Sequence, residues 1–451
     1  MEKGLATKNV CVMETTQRYF GKLFFPIEKK SIENIWLNIN GNKIFVEIPN
    51  PGSVSEDWAV LHGEFNKLGT VSLIDCSIGA SSHGFGGEGC KLNVHKLIQG
   101  EKLSFNRQCF ISTITLTSSA LNHWIMGIEG ITHKKSTFTV PEFKTILNVS
   151  TAYFDLEIKV GYKNSFSYTK TSFERDVFLY ASFNKPLNIY DFYVWKKKIE
   201  KLIVYLTNDD PGVKVIGLNR SFERIYGIDS KWESHNYSHS IKFSFHEIRS
   251  YLPKIIKSWF DNKNLDSVID LLLEKKAIPA LSPQKHFLNM CVALESFHKN
   301  FIGKNIPLID KTTLDNREKI KTLLDKDKEL LRWFSEKTTF WKNPTLIDRI
   351  YFFKKELQDI NKNVFKIPIE DWMRMVKNTR DDLSHEGRYN KYFEDYFTLF
   401  LSSYALEMLL QYRVIMLLGV DDKLLKEQYL KNASGNISLV ASLNNFKGIK
   451  K

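Results

Sequence analysis

IKFSFHEIRSYLPKIIKSWF, residues 241–260, is the stretch where the chain changes its period. Before it, short runs rich in β-branched and aromatic residues alternate and are separated by Gly, Asn, Asp, Ser and Pro clusters. KIFVEIP (43–49), TVSLIDCSI (70–78), KLNVHKLI (91–98), CFISTITLTS (109–118), FDLEIKVGY (154–162), VFLYASF (177–183) and IKFSF (241–245) read as strands. After His246 the apolar period becomes about 3.6, and alternation does not return before the tail. The predicted helices span about 248–261, 265–277, 283–302, 313–337, 345–360, 368–384, 391–418 and 421–431. Their ends carry chemical signals: Ser282 before Pro283 is a cap followed by an N1 proline, and Gly303, Gly387 and Gly419 stand where helices should stop.

The fold class is therefore α+β and multidomain: a β-rich domain over 1–245, sandwich- or barrel-like, then an all-α bundle over 246–431 with its core at about 282–431. A polar, Gly/Ser/Asn-bearing tail covers 432–451. One helix interrupts the first domain, Tyr190 to Leu206, where Phe192, Trp195, Ile199, Leu202 and Leu206 recur at helical spacing. A chain of 451 residues exceeds what one compact core normally holds.

Composition excludes more than it selects. With 43% apolar and 25% charged residues the chain is neither collagen-like, disordered nor a disulfide scaffold. Its 64 basic and 51 acidic residues leave a net charge of +13, yet only 13 of the basic residues are Arg. A Lys-rich, AT-biased composition supplies that excess unaided, so the charge permits a polyanionic partner without demanding one. The cysteines, Cys11, Cys76, Cys90, Cys109 and Cys291, form no C-x-x-C pair and no zinc spacing, which suits a reducing cytoplasm. MEKGLATKNV lacks the apolar region of a secretory signal, and Met1-Glu2 excludes the myristoylation pattern. The longest apolar stretch, Tyr404 to Val420, is broken by Glu407, Gln411 and Arg413 and reads as a packed helix rather than a membrane span.

Two motifs have to be weighed. Gly84-Phe85-Gly86-Gly87-Glu88-Gly89 satisfies the dinucleotide-binding string G-x-G-x-x-G, but the following CKLNVHKLI reads as a strand and not as the helix a pyrophosphate needs. A Gly-rich hairpin fits better, although such a loop could still approach a ligand closely. P-loop, zincin and nucleophile-elbow strings are absent from the sequence. Of the acidic pairs, Asp209-Asp210 and Asp421-Asp422 stand at element ends and read as turns or helix termini.

The third pair belongs to the second motif, Arg380-Asp381-Asp382-Leu383-Ser384-His385-Glu386-Gly387. The bare string, an Arg and a His with four to six residues between them, is expected about once by chance in a chain with 13 Arg and 11 His, and it occurs once. Its setting adds three physical points. Asp381 and His385 are i and i+4, so on a continuing helix the carboxylate can fix the imidazole tautomer and favour its protonated form. A His in the last turn also lies at the negative end of the helix dipole. Arg380, one turn from Ser384, offers a guanidinium fork for a phosphate beside a titratable group. A solvated turn of ordinary charged residues is the alternative.

This run resembles the R-x4-6-H signature of HEPN domains, in which a polar residue commonly follows the Arg; Asp381 fills that place. The spacing is the shortest the signature allows, and the residue after the Arg is acidic rather than the more familiar Asn. CVALESFHKNF (291–301) resembles the first core helix of HEPN domains of ApeA-type anti-phage defence proteins. AVLHGEFNKLGTVSLIDC (59–76) and SALNHW (119–124) resemble that group's β-rich domain. The resemblance implies a metal-independent endoribonuclease of bacterial abortive-infection defence, without cofactor, acting in the cytoplasm on RNA, with tRNA among the candidates. It implies a homodimer or higher assembly in which two R-x4-6-H motifs line one cleft, and an N-terminal domain that senses a phage-derived trigger. His385 would be the general acid/base, Arg380 the phosphate and transition-state stabiliser, and Asp381 orienting or electrostatic support. Glu295 and His298 are second candidates for lining the cleft, for both of which a polar helix face is the commoner explanation, and Lys285 and Lys299 are candidates for holding an RNA backbone that the sequence does not distinguish from solvated lysines. Two other classes remain open: a HEPN nucleotide-binding or scaffold protein without turnover, and a metal nuclease using Asp381 and Asp382.

Overall fold

The computed structural model describes residues 17–25, 30–40, 43–49, 58–84, 87–100, 111–125, 132–134, 137–139, 143–167, 170–219, 225–226, 243–303, 311–338, 344–360, 368–385 and 396–427. They form two compact units. One reaches Glu200 and resumes at Pro211–Lys231; the other comprises Lys201–Asp210 and the chain from Trp232.

The first unit contains a closed ring of strands. β1 (Gln17–Phe25), β2 (Lys30–Asn40), β3 (Lys43–Pro49), β4 (Trp58–Phe65), β5 (Gly69–Gly84) and β6 (Gly87–Gln99) pair antiparallel in the order β6-β3-β2-β1-β4-β5, and β5 returns to β6. The alternation in KIFVEIP explains the closure locally. Ile44, Val46 and Ile48 are buried and face Val94, Leu92 and Cys90 of β6, so successive apolar side chains meet inside while Lys43 stays exposed. Leu37 and Ile39 of β2 meet the same residues from the other side. Each such side chain contributes about 1.5–3 kcal/mol of burial. Gly84 pairs with Gly87, so the Gly-rich string lies at a β5–β6 hairpin tip and strand follows it; residues 85–86 lie outside the described set. β14 (Ile225–Tyr226) pairs with Ile98 and Leu97 of β6.

A second, open antiparallel sheet runs β10-β11-β12-β7-β13, with β7 (Ile111–Ser118), β10 (Lys144–Ser150), β11 (Phe154–Ser167), β12 (Lys170–Leu187) and β13 (Val213–Leu218). Its two outer strands both slip register, at Thr145/Leu147 in β10 and at Val215/Gly217 in β13. β8 (Thr132–Lys134) and β9 (Thr137–Thr139) form a small ribbon. SALNHW folds as helix α1 (Ser119–Trp124), capped by Ser118. The interrupting helix α2 (Ile189–Thr207) sets Trp195 edge-on against Phe154 at 5.5 Å and Phe183 at 5.0 Å, as the apolar spacing predicts.

In the second unit IKFSF does not form a strand where it is described. Ser244 takes the extended conformation of an N-cap, and Phe245 opens α3 (Phe245–Ile248). The alternation of Phe243 and Phe245 arises because both are buried on either side of that cap. α4 (Leu252–Asp261), α5 (Asp266–Ala277) and α6 (Pro283–Phe297) follow. Ser282 caps α6 through its hydroxyl and Pro283 takes the first helical position. After Phe297 the helix continues as a π turn over His298–Ile302, closed by the Gly303 N–H on the His298 carbonyl at 2.7 Å.

The single helix expected over 313–337 is two, α7 (Lys311–Leu324) and α8 (Lys328–Lys337), because the Asp327 side chain caps a new start on the Leu330 N–H. The helix expected over 345–360 likewise breaks at buried Phe353 into α9 (Leu346–Phe352) and α10 (Lys354–Ile360). α11 (Ile369–His385) and α12 (Tyr396–Leu417) complete the bundle, with 422–427 also helical. α12 is apolar all round because it is enclosed: Ala405, Leu406, Leu409, Leu410, Val414 and Ile415 are buried, and it packs on α6. Among the described residues no helix is long and apolar enough to cross a membrane. Gly419 ends the apolar run at φ +103°, a C-cap geometry that suits glycine. Gly387 and the 432–451 tail lie outside the described residues.

Candidate functional site

Three helices of the second unit bring charged residues to one cleft by burying their opposite faces. On α6 and the π turn that continues it, Met290, Cys291, Leu294 and Phe297 are buried, which turns Val292, Glu295, Ser296 and Lys299 outward. On α11, Trp372 and Val376 are buried, with the Trp372 indole N–H donating to Ser402 Oγ at 3.0 Å; this presents Lys377, Arg380 and Asp381 at i, i+3 and i+4. On α9, buried Leu346 and Ile350 fix the helix and a Thr345–Asp348 capping box fixes its start, leaving Arg349 toward the same space. The cleft is open, about 500 Å³, and lined by four cationic side chains, Lys299, Arg349, Lys377 and Arg380, against the carboxylates Glu295 and Asp381.

Arg380 is the hub. Its Nη2 donates to Glu295 Oε1 at 2.8 Å and Oε2 at 3.1 Å, and its Nη1 donates to Asp381 Oδ1 at 2.8 Å. Burial works against the charge of this half-buried guanidinium, but the Asp381 and Glu295 bonds outweigh it and raise its pKa. Burial likewise pulls the Asp381 carboxyl up, yet hydrogen bonds from Lys377 and Arg380 hold it below the usual carboxylate range. The second Asp381 oxygen takes the Lys377 ammonium at 3.0 Å. A guanidinium has five N–H donors, so these two carboxylates leave some of them for an incoming anion.

Residues 288–424 match the family model described as Apea-like HEPN. The helical half carries an Apea-like HEPN domain. Comparison with curated proteins and with solved structures found no match.

Within this HEPN domain the sequence-predicted residues separate. Arg380, Asp381, Glu295 and Lys299 all line the cleft, with Glu295 bonded directly to Arg380 across 85 residues of chain. Lys285 does not; it sits in the first turn of α6, ten residues or about 15 Å of helix axis before Glu295. His298 does not line the cleft either. It is fully buried behind the wall, its Nδ1 3.1 Å from Arg349 Nη1 and its ring edge-on to Phe352 and Phe353. Burial, with Arg349 and then Arg413 nearby, pushes this imidazole down to about 4. The physical reason is phase: Glu295 and Lys299 share one stripe of α6 and its π turn, and His298 falls one step inside it.

His385 is the last residue of α11; its side chain lies outside the described residues. Asp381, expected to orient it, directs both oxygens to Arg380 and Lys377. Of the other acidic pairs, Asp421 caps the helix that follows through the Lys423 N–H, and Asp209–Asp210 lies in the turn after α2, as read from sequence. Arg349 and Lys377 are the cleft residues sequence reasoning missed. Lys377 was findable from its i, i+4 spacing to Asp381; Arg349 carries no such signal, since only the fold brings it to Glu295.

Proposed function

We propose that the protein is a metal-independent endoribonuclease effector of bacterial anti-phage, abortive-infection-type defence, and that the Arg380 cleft is its RNA site. HEPN domains are generally RNase-type nucleases. The observation that carries the reading here is Arg380 of the R-x4-H string standing on the wall of an open cleft with Lys299, Arg349 and Lys377. A cleft with more cations than carboxylates suits a phosphodiester.

The chemistry needs only what such residues supply. The ribose 2′-oxygen attacks the adjacent phosphorus, and its proton passes to the imidazole of His385 acting as general base. The P–O5′ bond breaks, and the departing 5′-oxygen takes a proton from a second imidazole, leaving a 2′,3′-cyclic phosphate. Arg380 stabilises the charge that builds on the non-bridging oxygens. One chain supplies one such His, so acid and base come together when two HEPN domains pair about a two-fold axis, and the active species is a homodimer or higher assembly. The β-rich unit then serves as sensor or restraint, and the enzyme works in the cytoplasm.

Purified protein incubated with total RNA or tRNA in EDTA should yield cyclic-phosphate ends, and Arg380→Ala and His385→Ala should abolish them. Cleavage by both variants at the parental rate would overturn the assignment. A binding or scaffold role without turnover is the second reading, favoured by the hold that two carboxylates have on Arg380. It predicts that expression slows host growth no more for the parent than for His385→Ala.

A further inference from the structure

Arg349 is anchored on one side and open on the other. Both acceptors it meets lie in the wall: Nη1 donates to the Glu295 carbonyl at 3.4 Å and lies 3.1 Å from His298 Nδ1. Among the described residues its Nε and Nη2 have no hydrogen-bond partner, while the side chain as a whole lines the cleft. One edge of a rigid, planar guanidinium is thus fixed, while three N–H donors are left without a hydrogen-bond partner among the described residues on a side chain that lines the same cleft as Arg380. Glu295 links the two arginines, its carboxylate bound by Arg380 and its carbonyl by Arg349.

The anchor is built rather than incidental. The π turn begins at His298 and closes on its carbonyl, and a Cβ at Gly303 would stand 3.3 Å from the imidazole, so the turn packs directly on the ring. Phe352 and Phe353 enclose the ring from α9 and the junction that follows it, and Arg413 lies beyond them, 4.7 Å from the Phe353 ring centre. Buried, with the guanidiniums of Arg349 and then Arg413 nearby, the imidazole is neutral at physiological pH. Neutral, with Nδ1 facing a donor, it carries its proton on Nε2 and accepts at Nδ1.

We propose that Arg349 is a second phosphate-binding arginine of the cleft, contacting a phosphodiester next to the one at Arg380, and that His298 is the positioning residue that aims it. The proposal rests on the reading of this cleft as an RNA site.

The test uses the full chain and a short single-stranded oligoribonucleotide made uncleavable by 2′-deoxy substitution, with affinity measured over a range of KCl concentrations. Arg349→Gln should weaken binding about tenfold or more. It should also flatten the dependence of log affinity on log salt by about 0.7, one phosphate contact on a single strand. His298→Asn, which keeps an oxygen acceptor near the Nδ1 position, should retain the parental salt slope. His298→Leu, which removes the acceptor, should lose affinity as Arg349→Gln does, with thermal melts showing that each variant is folded. Parental binding by Arg349→Gln, with loss in Arg380→Gln, would overturn the proposal and leave the RNA site standing. Parental binding by both arginine variants would overturn the RNA site itself, and this proposal with it. A folded His298→Asn that binds as weakly as His298→Leu would overturn the positioning role.

Discussion

Buried His298 makes the stability of the helical unit depend on pH in a calculable way. Its pKa falls from 6.5 to about 4 on folding, so the unfolded chain takes up a proton at a pH where the folded chain refuses it. The stabilisation is fully present above about pH 6.5 and is lost progressively as pH falls toward 4. At 1.36 kcal/mol per pKa unit the whole effect is about 3 kcal/mol, a sizeable part of the stability of a domain. The perturbation to compare is His298→Asn, which cannot titrate. Urea unfolding followed by far-UV circular dichroism at a series of pH values would yield the stability difference between parent and variant. The parent's advantage should shrink by about 3 kcal/mol between about pH 7 and pH 4. The arginines near the ring, Arg349 and Arg413, are present in both proteins. The carboxylates around them, Glu295, Asp348 and Glu356, are common to both proteins and largely cancel in the difference. A difference that stays constant with pH, or widens as acid is added, would refute the account of His298 as a neutral acceptor.

Other outcomes follow from the same contacts. Glu295→Gln should leave Arg380 more available and tighten oligonucleotide binding severalfold, since the partly exposed pair it weakens is worth at most about 1 kcal/mol; looser binding would mean that Glu295 organises the cleft rather than competing for it. Ser282→Ala should destabilise the protein by about 1 kcal/mol in chemical unfolding, because the hydroxyl caps the Lys285 N–H at 3.2 Å. Burial, and then the charge of Glu295, push the Cys291 thiol upward against an opposing pull from Arg380, with Asp381 adding a smaller push, so intact-mass analysis should find it unalkylated until the protein unfolds. Leu294→Ala, at a fully buried position of α6, should cost about 2–5 kcal/mol in the same unfolding assay.

What the sequence disclosed and what it withheld divide along the range of the interactions. KIFVEIP reads as a strand because one face is buried, and β3 spans those same seven residues. The closure of six strands into a ring depends on β3 meeting β6 and β1 meeting β4, pairings that no local pattern specifies. Helix α6 was visible from its cap and period, but the π turn that prolongs it was not, since an i→i+5 bond leaves no compositional mark. The breaks at Asp327 and Phe353 were hidden because each carries the apolar period nearly unbroken into the next helix. At the cleft, Arg380 was legible through the setting of its string at a helix end and through the resemblance to HEPN domains, and Glu295 through the resemblance of CVALESFHKNF to a HEPN core helix. Arg349 was illegible, being 54 residues from the carbonyl it binds. His298, a second candidate for lining the cleft, is instead buried behind its wall.

The strand pairing of the first unit limits how anything could bind there. Among the described residues each of the six strands of the ring pairs with two ring neighbours, and the open sheet terminates in β10 and β13, both slipped in register. A bulged edge twists away and offers a poor template for a further strand, which guards against edge-to-edge aggregation. It also makes recognition by β-strand addition unfavourable at those edges. A trigger that acts on this half would therefore be read by side chains or loops, and exchanging surface residues should change its specificity without disturbing the sheets.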